Sequence, residues 1–126
     1  MREYRYVVDR EGRISHDGSE IVDPLVLRFF LSAMRRTADG RYLVICQQEH
    51  NWFDVADTPF VIQRLRQKGD AAPGALELYL VGDYHEPLDP ETLESEGGYL
   101  YCRVRRGAFR ARFGRVALPA AHAVPV

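Results

Sequence analysis

Sulfur is scarce in this chain and lysine is nearly missing. The two cysteines, Cys46 and Cys102, lie far apart in apolar, strand-like runs, and no CxxC or comparable zinc spacing occurs. They read as buried free thiols rather than a disulfide. No apolar run approaches the roughly 20 residues that a membrane span requires. Strand-like alternation begins at Tyr4, which leaves no room for a signal or transit peptide, so a cytoplasmic protein is expected. A glycine-rich phosphate loop, a GxSxG and a Cys–His pair in recognisable context are all missing. No cofactor is therefore read from the sequence. Lys68 stands alone against sixteen arginines, as a GC-rich genome would give.

What is present describes an ordinary globular chain. Its 126 residues are 46% hydrophobic and 28% charged, which suits one domain and no second core. At this size folding buries roughly two-thirds of the unfolded surface, so neither metal nor disulfide is needed for stability. The net charge of −1 gives no general attraction to nucleic acid or membrane. The charge is nonetheless segregated. Asp83, Glu86, Asp89, Glu91, Glu94 and Glu96 form an acidic stretch, followed by Arg103, Arg105, Arg106, Arg110, Arg112 and Arg115.

Tyr4, Tyr6 and Val8 alternate with polar or outward residues, as in a half-buried strand, and Asp9-Arg10-Glu11-Gly12 reads as a turn into Arg13–His16. Asp23 as N-cap and Pro24 at the first helical position open a helix predicted over 24–36. Arg28, Ser32, Arg35 and Arg36 make one narrow wet stripe, which predicts burial on the other sides. Arg35 and Arg36 would complement the helix dipole, and Asp39-Gly40 would end the helix. Beyond Gly40 the pattern is β. A meander is predicted over Tyr42–Gln48, Trp52–Ala56 and Pro59–Leu65, then a flexible loop at 66–74 and a strand from Ala75 to Val81. Glu86–Glu96 holds two prolines and at most one helical turn. Tyr99–Arg105 and Ala108–Arg112 form a hairpin, and an apolar tail, an edge strand, ends the chain. With a constant offset of 57, Gly40, Tyr42 and Leu43 fall on Gly97, Tyr99 and Leu100, and Trp52 falls on Phe109. Two similar β motifs, at 40–65 and 97–122, are expected. The fold class is α+β: a mainly antiparallel, curved sheet packed on one helix.

The run Glu49-His50-Asn51-Trp52, followed by Asp57-Thr58-Pro59-Phe60-Val61, resembles uncharacterised protein family 0598 (domain of unknown function 4505). Its motif residues here are Glu49, Asn51, Asp57 and Pro59. A second likeness, through Asp17-Gly18, Asp57–Val61 and Val104-Arg105 with Gly107, Ala111 and Arg115, is to a bacterial group, domain of unknown function 1285. That likeness implies repeated β-rich motifs of pleckstrin-homology kind. Neither family implies an activity.

Two clusters are candidates for function. Glu49, His50 and Asp57 hold catalytic residue types; a carboxylate beside an imidazole can act as a general acid–base pair. The same residues also suit a hairpin turn and a strand entrance, where Asn51 adopts positive φ and Asp57 accepts backbone N–H groups. A metal would require His16, His50 and His85 to converge from separate loops, and none has a ligand at short spacing, so no metal is expected. The second cluster is Arg103, Arg105, Arg110 and Arg112, brought to one face by strand alternation. Four guanidinium groups can hold phosphate or another anion, or they can pair with the acidic stretch that precedes them. No aromatic interleaving marks a base-stacking platform, which disfavours nucleic acid. The reading is a non-catalytic binding or regulatory module for a protein segment or an anionic ligand. The alternative is a small hydrolase-like or metal-dependent enzyme built on the 49–57 loop.

Overall fold

The computed structural model describes residues 2–67, 75–115 and 117. Most of the predicted loop 66–74 and of the apolar tail therefore lies outside the described residues. Strand β1 (Glu3–Val8) buries Val8 fully and Tyr6 in part, as its alternation requires. The Asp9 carboxylate then organises the turn. It accepts the Glu11 and Arg13 N–H groups, each at 2.9 Å, and Arg13 Nε at 2.8 Å. Strands β2 (Ile14–His16) and β3 (Ser19–Glu20) return the chain.

Helix α1 (Pro24–Ala33) starts where Asp23 and Pro24 predict, with Asp23 Oδ1 accepting the Leu25 N–H at 2.9 Å. It ends earlier than predicted. Met34 is already extended, and Arg35–Arg36 form β4, paired with Leu43 and Tyr42. The helix has by then buried Leu27, Phe30, Leu31 and Met34, and the next two residues gain more from a sheet edge than from another turn. Asp39-Gly40 is consequently a hairpin turn. The helix C-terminus is capped instead from across the chain, by Arg105 Nη1 donating to Leu31 O at 3.3 Å and to Met34 O. The helix is also less enclosed than its sequence predicts, because Leu25, Val26 and Phe29 face solvent.

Strands β5 (Tyr42–Cys46) and β6 (Glu49–Val55) form a hairpin closed by Gln47 and Gln48 at φ 49° and 67°. Two successive positive φ values are the requirement of the tight primed turn. Glu49, His50 and Asn51 are therefore strand residues and not the turn. The six-stranded sheet runs β3-β2-β1-β6-β5-β4, with β1 and β6 parallel. The predicted third meander strand divides at Gln63. Strand β7 (Phe60–Ile62) joins a four-stranded sheet in the order β11-β12-β13-β7 and runs parallel to β13, while β8 (Arg64–Gln67) turns to β9 (Leu76–Tyr79) and β10 (His85–Pro87). Strands β11 (Glu94–Glu96), β12 (Tyr99–Val104) and β13 (Phe109–Phe113) complete the fold. It is α+β, mainly antiparallel, with open sheets. Both larger sheets contain a short strand, a hairpin and a parallel strand taken from earlier in the chain. The offset of 57 does not hold through the hairpins: Trp52 lies opposite Leu43, whereas Phe109 lies opposite Val104. Among the described residues no helix is long and apolar enough to cross a membrane.

The core lies between α1 and the sheets. Tyr6, Phe30 and Phe53 pack with ring centroids 5.1 Å apart, and Phe60 meets Phe109 at the same spacing. Fully burying each such side chain is worth about 1.5–3 kcal/mol. Burial, helped by Glu86 and Asp89, pushes the Cys102 thiol up to about 12 from an ordinary 9.0. Burial also raises Tyr84, whose hydroxyl donates to Glu86 Oε1 at 2.8 Å. A raised acid favours folding while it is neutral. This contribution is complete below the unfolded pKa and is lost as pH climbs above it. Melting temperature should fall progressively from about pH 9 upward. At about pH 8, alkylation followed by mass spectrometry should mark the half-buried Cys46 and spare Cys102 until the protein unfolds. Equal labelling of both thiols in the folded state would contradict this packing.

Candidate anion-binding groove

Strand register builds a concentrated basic site on the three-stranded sheet. Across β8, β9 and β10, Arg64 stands opposite Tyr79, which stands opposite His85. One step along the same face, Arg66 is opposite Glu77, and Glu77 opposite Pro87. The other face carries Leu65, Leu78 and Glu86 inward. The outward face is organised around the Tyr79 ring. Arg64 and Arg66 lie 4.8 and 5.3 Å from its centroid, and the His85 ring stacks on it at 5.1 Å. Glu77 is buried beneath, its Oε1 2.9 Å from His85 Nδ1.

Helix α1 supplies the opposite wall through Arg28 and Ser32, one helical turn apart. Arg28 Nη1 donates to Gly82 O at 2.8 Å, which fixes the helix to the short turn Val81–Asp83, and Arg64 Nη2 donates to Asp83 Oδ1 at 3.0 Å. The resulting groove encloses about 480 Å³ and is lined by Arg28, Ser32, Arg64, Arg66, Tyr79, Asp83, Tyr84 and His85. Three guanidinium groups and an imidazole thus meet one lining carboxylate. A guanidinium stacked on an aromatic ring keeps its N–H edge available for a forked contact to carboxylate or phosphate.

The residues singled out from sequence are distributed differently. Glu49 accepts the Tyr4 hydroxyl at 3.2 Å, and His50 Nδ1 is 3.9 Å from Glu3 Oε1. Asp57 lies beyond the far end of β6. At about 3.3 Å per residue that strand separates its ends by roughly 20 Å, so Glu49 and His50 share no site with Asp57. Asn51, predicted to adopt positive φ, instead sits buried in β6 and donates through Nδ2 to Val44 O at 3.1 Å. Asp57 accepts the Tyr101 hydroxyl at 2.7 Å and faces Arg112, while Pro59 is buried at the entry to β7. Thr58 ties the parallel strands together: its hydroxyl donates to Phe60 O at 2.6 Å and accepts the Arg112 N–H at 3.1 Å. His16, His50 and His85 lie in separate places: His16 Nδ1 is against Arg5 O, His50 near Glu3, and His85 on Glu77.

The arginine hairpin divides as well. Arg110 donates to Glu94 and Glu96, each at 2.9 Å, and lies 3.6 Å from the Tyr101 ring centroid. Those acids come from the stretch that precedes the hairpin. Arg112 is only 2% exposed, between Asp57 and Glu11. Arg105 leaves the strand at φ 52° to cap α1, and its N–H donates to Glu86. Arg103 remains exposed, beside Arg106, Glu86 and Asp89.

No family model matches the chain, and no curated protein matches it. Two solved structures do. One is a DUF1285 family protein from Shewanella baltica OS155, with TM-score 0.75 and 17% identity over 96% of this chain and 92% of that one. The fold is that of DUF1285 proteins. The other, a DUF1285 family protein from Silicibacter pomeroyi DSS-3, gives TM-score 0.67 and 18% identity over 94% of this chain and 69% of that one. These structures agree with the second of the two sequence likenesses.

Proposed function

We propose that the protein is a non-catalytic binding module whose groove between α1 and β8–β10 takes an anionic group. The observation that supports this is the register that sets Arg64, Arg66 and His85 around Tyr79 and opposite Arg28. The groove replaces the arginine hairpin as the ligand site, because Arg110 and Arg112 are each held by two carboxylates and Arg105 caps α1, whereas Arg64 meets Asp83 alone. A bacterial, cytoplasmic setting and kinship with family 0598 through Glu49, Asn51, Asp57 and Pro59 belong to the same reading and rest on sequence alone. Calorimetric titration with pyrophosphate should show salt-sensitive binding that weakens at least tenfold when Arg64 and Arg66 both become alanine. Arg103→Ala should leave it unchanged. Equal binding by the parent and the double variant would overturn the reading.

A second reading has one specific observation behind it. A buried carboxylate holding one nitrogen of an exposed imidazole is the arrangement of a general base, and Glu77 and His85 have it. This moves the enzymatic alternative away from residues 49–57. Turnover of a p-nitrophenyl phosphate or ester panel, abolished by His85→Ala, would establish it in place of the first.

A further inference from the structure

The rim of the groove is apolar where a surface helix is ordinarily polar. On α1, Leu25 and Phe29 lie one turn apart in a row beside Arg28 and Ser32, and Val22 precedes them. Val22, Leu25 and Phe29 are 74%, 68% and 42% exposed. One row of the helix thus offers hydrocarbon to solvent, while the next lines a basic groove of about 480 Å³. We propose that rim and groove together bind a protein segment bearing an apolar anchor beside paired carboxylates. The anchor covers Leu25 and Phe29, and the carboxylates meet Arg64 and Arg66. This names the partner of the site described above and rests on that reading.

The shape and charge of the surface favour this occupant. An extended segment rises about 3.3 Å per residue, so a short stretch reaches from the helix row into the groove. A bilayer is flat and would meet the helix row without entering a concave site whose arginines lie on a sheet floor. A two-fold contact between copies, centred on the helix row, would bring the two sets of arginines towards one another. A free phosphate would use the groove and leave the hydrocarbon bare.

The test uses fluorescence anisotropy with a labelled peptide in which a leucine pair is followed by a glutamate pair, alongside a peptide that keeps the glutamates and replaces both leucines with serine. The full peptide should bind, and the serine peptide should bind at least tenfold more weakly. Leu25→Ser, at an exposed position, should weaken the full peptide at least tenfold and leave pyrophosphate binding intact. Arg66→Glu should weaken both. If the serine peptide binds as well as the full one, the helix row takes no part and this proposal fails while the anion groove stands. If pyrophosphate also fails to bind, both fail. Binding to phosphatidylserine vesicles but not to the peptide, or a dimer in sedimentation that Leu25→Ser dissolves, would assign the row to a membrane or to a second copy and overturn the proposal.

Discussion

Arg112→Ala is expected to destabilise the protein by about 3–5 kcal/mol, the cost of breaking a buried ion pair from one side. For a chain of this size the melting temperature should drop on the order of 10 °C or more. The guanidinium is buried between two carboxylates, with Nε 3.4 Å from Asp57 Oδ2 and Nη2 3.8 Å from Glu11 Oε2, and it lies 4.8 Å from the Tyr99 ring centroid. Removing it deletes a large packed side chain and leaves both acids facing a void. Arg112→Met should cost less, because it fills the space and the acids are partly open to water. Urea and thermal unfolding of the two variants measure the difference. A loss below about 1 kcal/mol for the alanine variant would show that the buried charge and its packing offset each other.

Gly82→Ala is expected to cost about 2–5 kcal/mol, from two sources. Gly82 has φ 68°, a left-handed conformation that costs an L-residue roughly 1–2 kcal/mol. An added Cβ would also stand 2.6 Å from Leu27 Cβ and 3.0 Å from Pro24 O, so α1 must move, and overpacking of this kind costs about 1–3 kcal/mol. Gly107→Ala is the control. It has φ 82° with nothing within 4 Å of the added Cβ, so only the backbone contribution should appear. Because Gly82 O accepts Arg28 Nη1, the Gly82 variant should also weaken pyrophosphate binding. Equal losses for the two glycines in chemical unfolding would mean that the helix is free to yield at this contact.

Much of the architecture was legible because it is governed locally. Asp23 and Pro24 mark the start of α1, Asp9 with Gly12 marks the first turn, and alternation marks β1, β9 and β12. The end of α1 was hidden because it depends on a tertiary gain: Arg35 and Arg36 prefer the edge of β5 to another helical turn. Gln47 and Gln48 carry none of the usual turn chemistry, so the sequence pattern points to Glu49–Asn51 while the chain turns two residues earlier. The short strands β10 and β11 flank Pro90 and exist because β9 and β12 offer them partners. The groove was the least readable part. The sequence pattern puts Arg64 in a strand but Arg66 in a loop, His85 stands far from both in sequence, and only the pairing of β8, β9 and β10 assembles them. The Asp57-Thr58-Pro59 motif was visible, but the fold gives it a structural task, bridging β7 to β13.

The two parallel pairings bear on how the chain is made. Strand β1 lies inside its sheet and needs β6, with Tyr6 opposite Phe53; β7 needs β13, with Phe60 opposite Ala111. Each early strand is synthesised long before its partner, so during translation one edge of each waits unpaired. Contacts of this sequence separation slow folding and prolong the exposure of sticky edges. Yield in cells should therefore depend on elongation rate and temperature more steeply than the final stability would indicate.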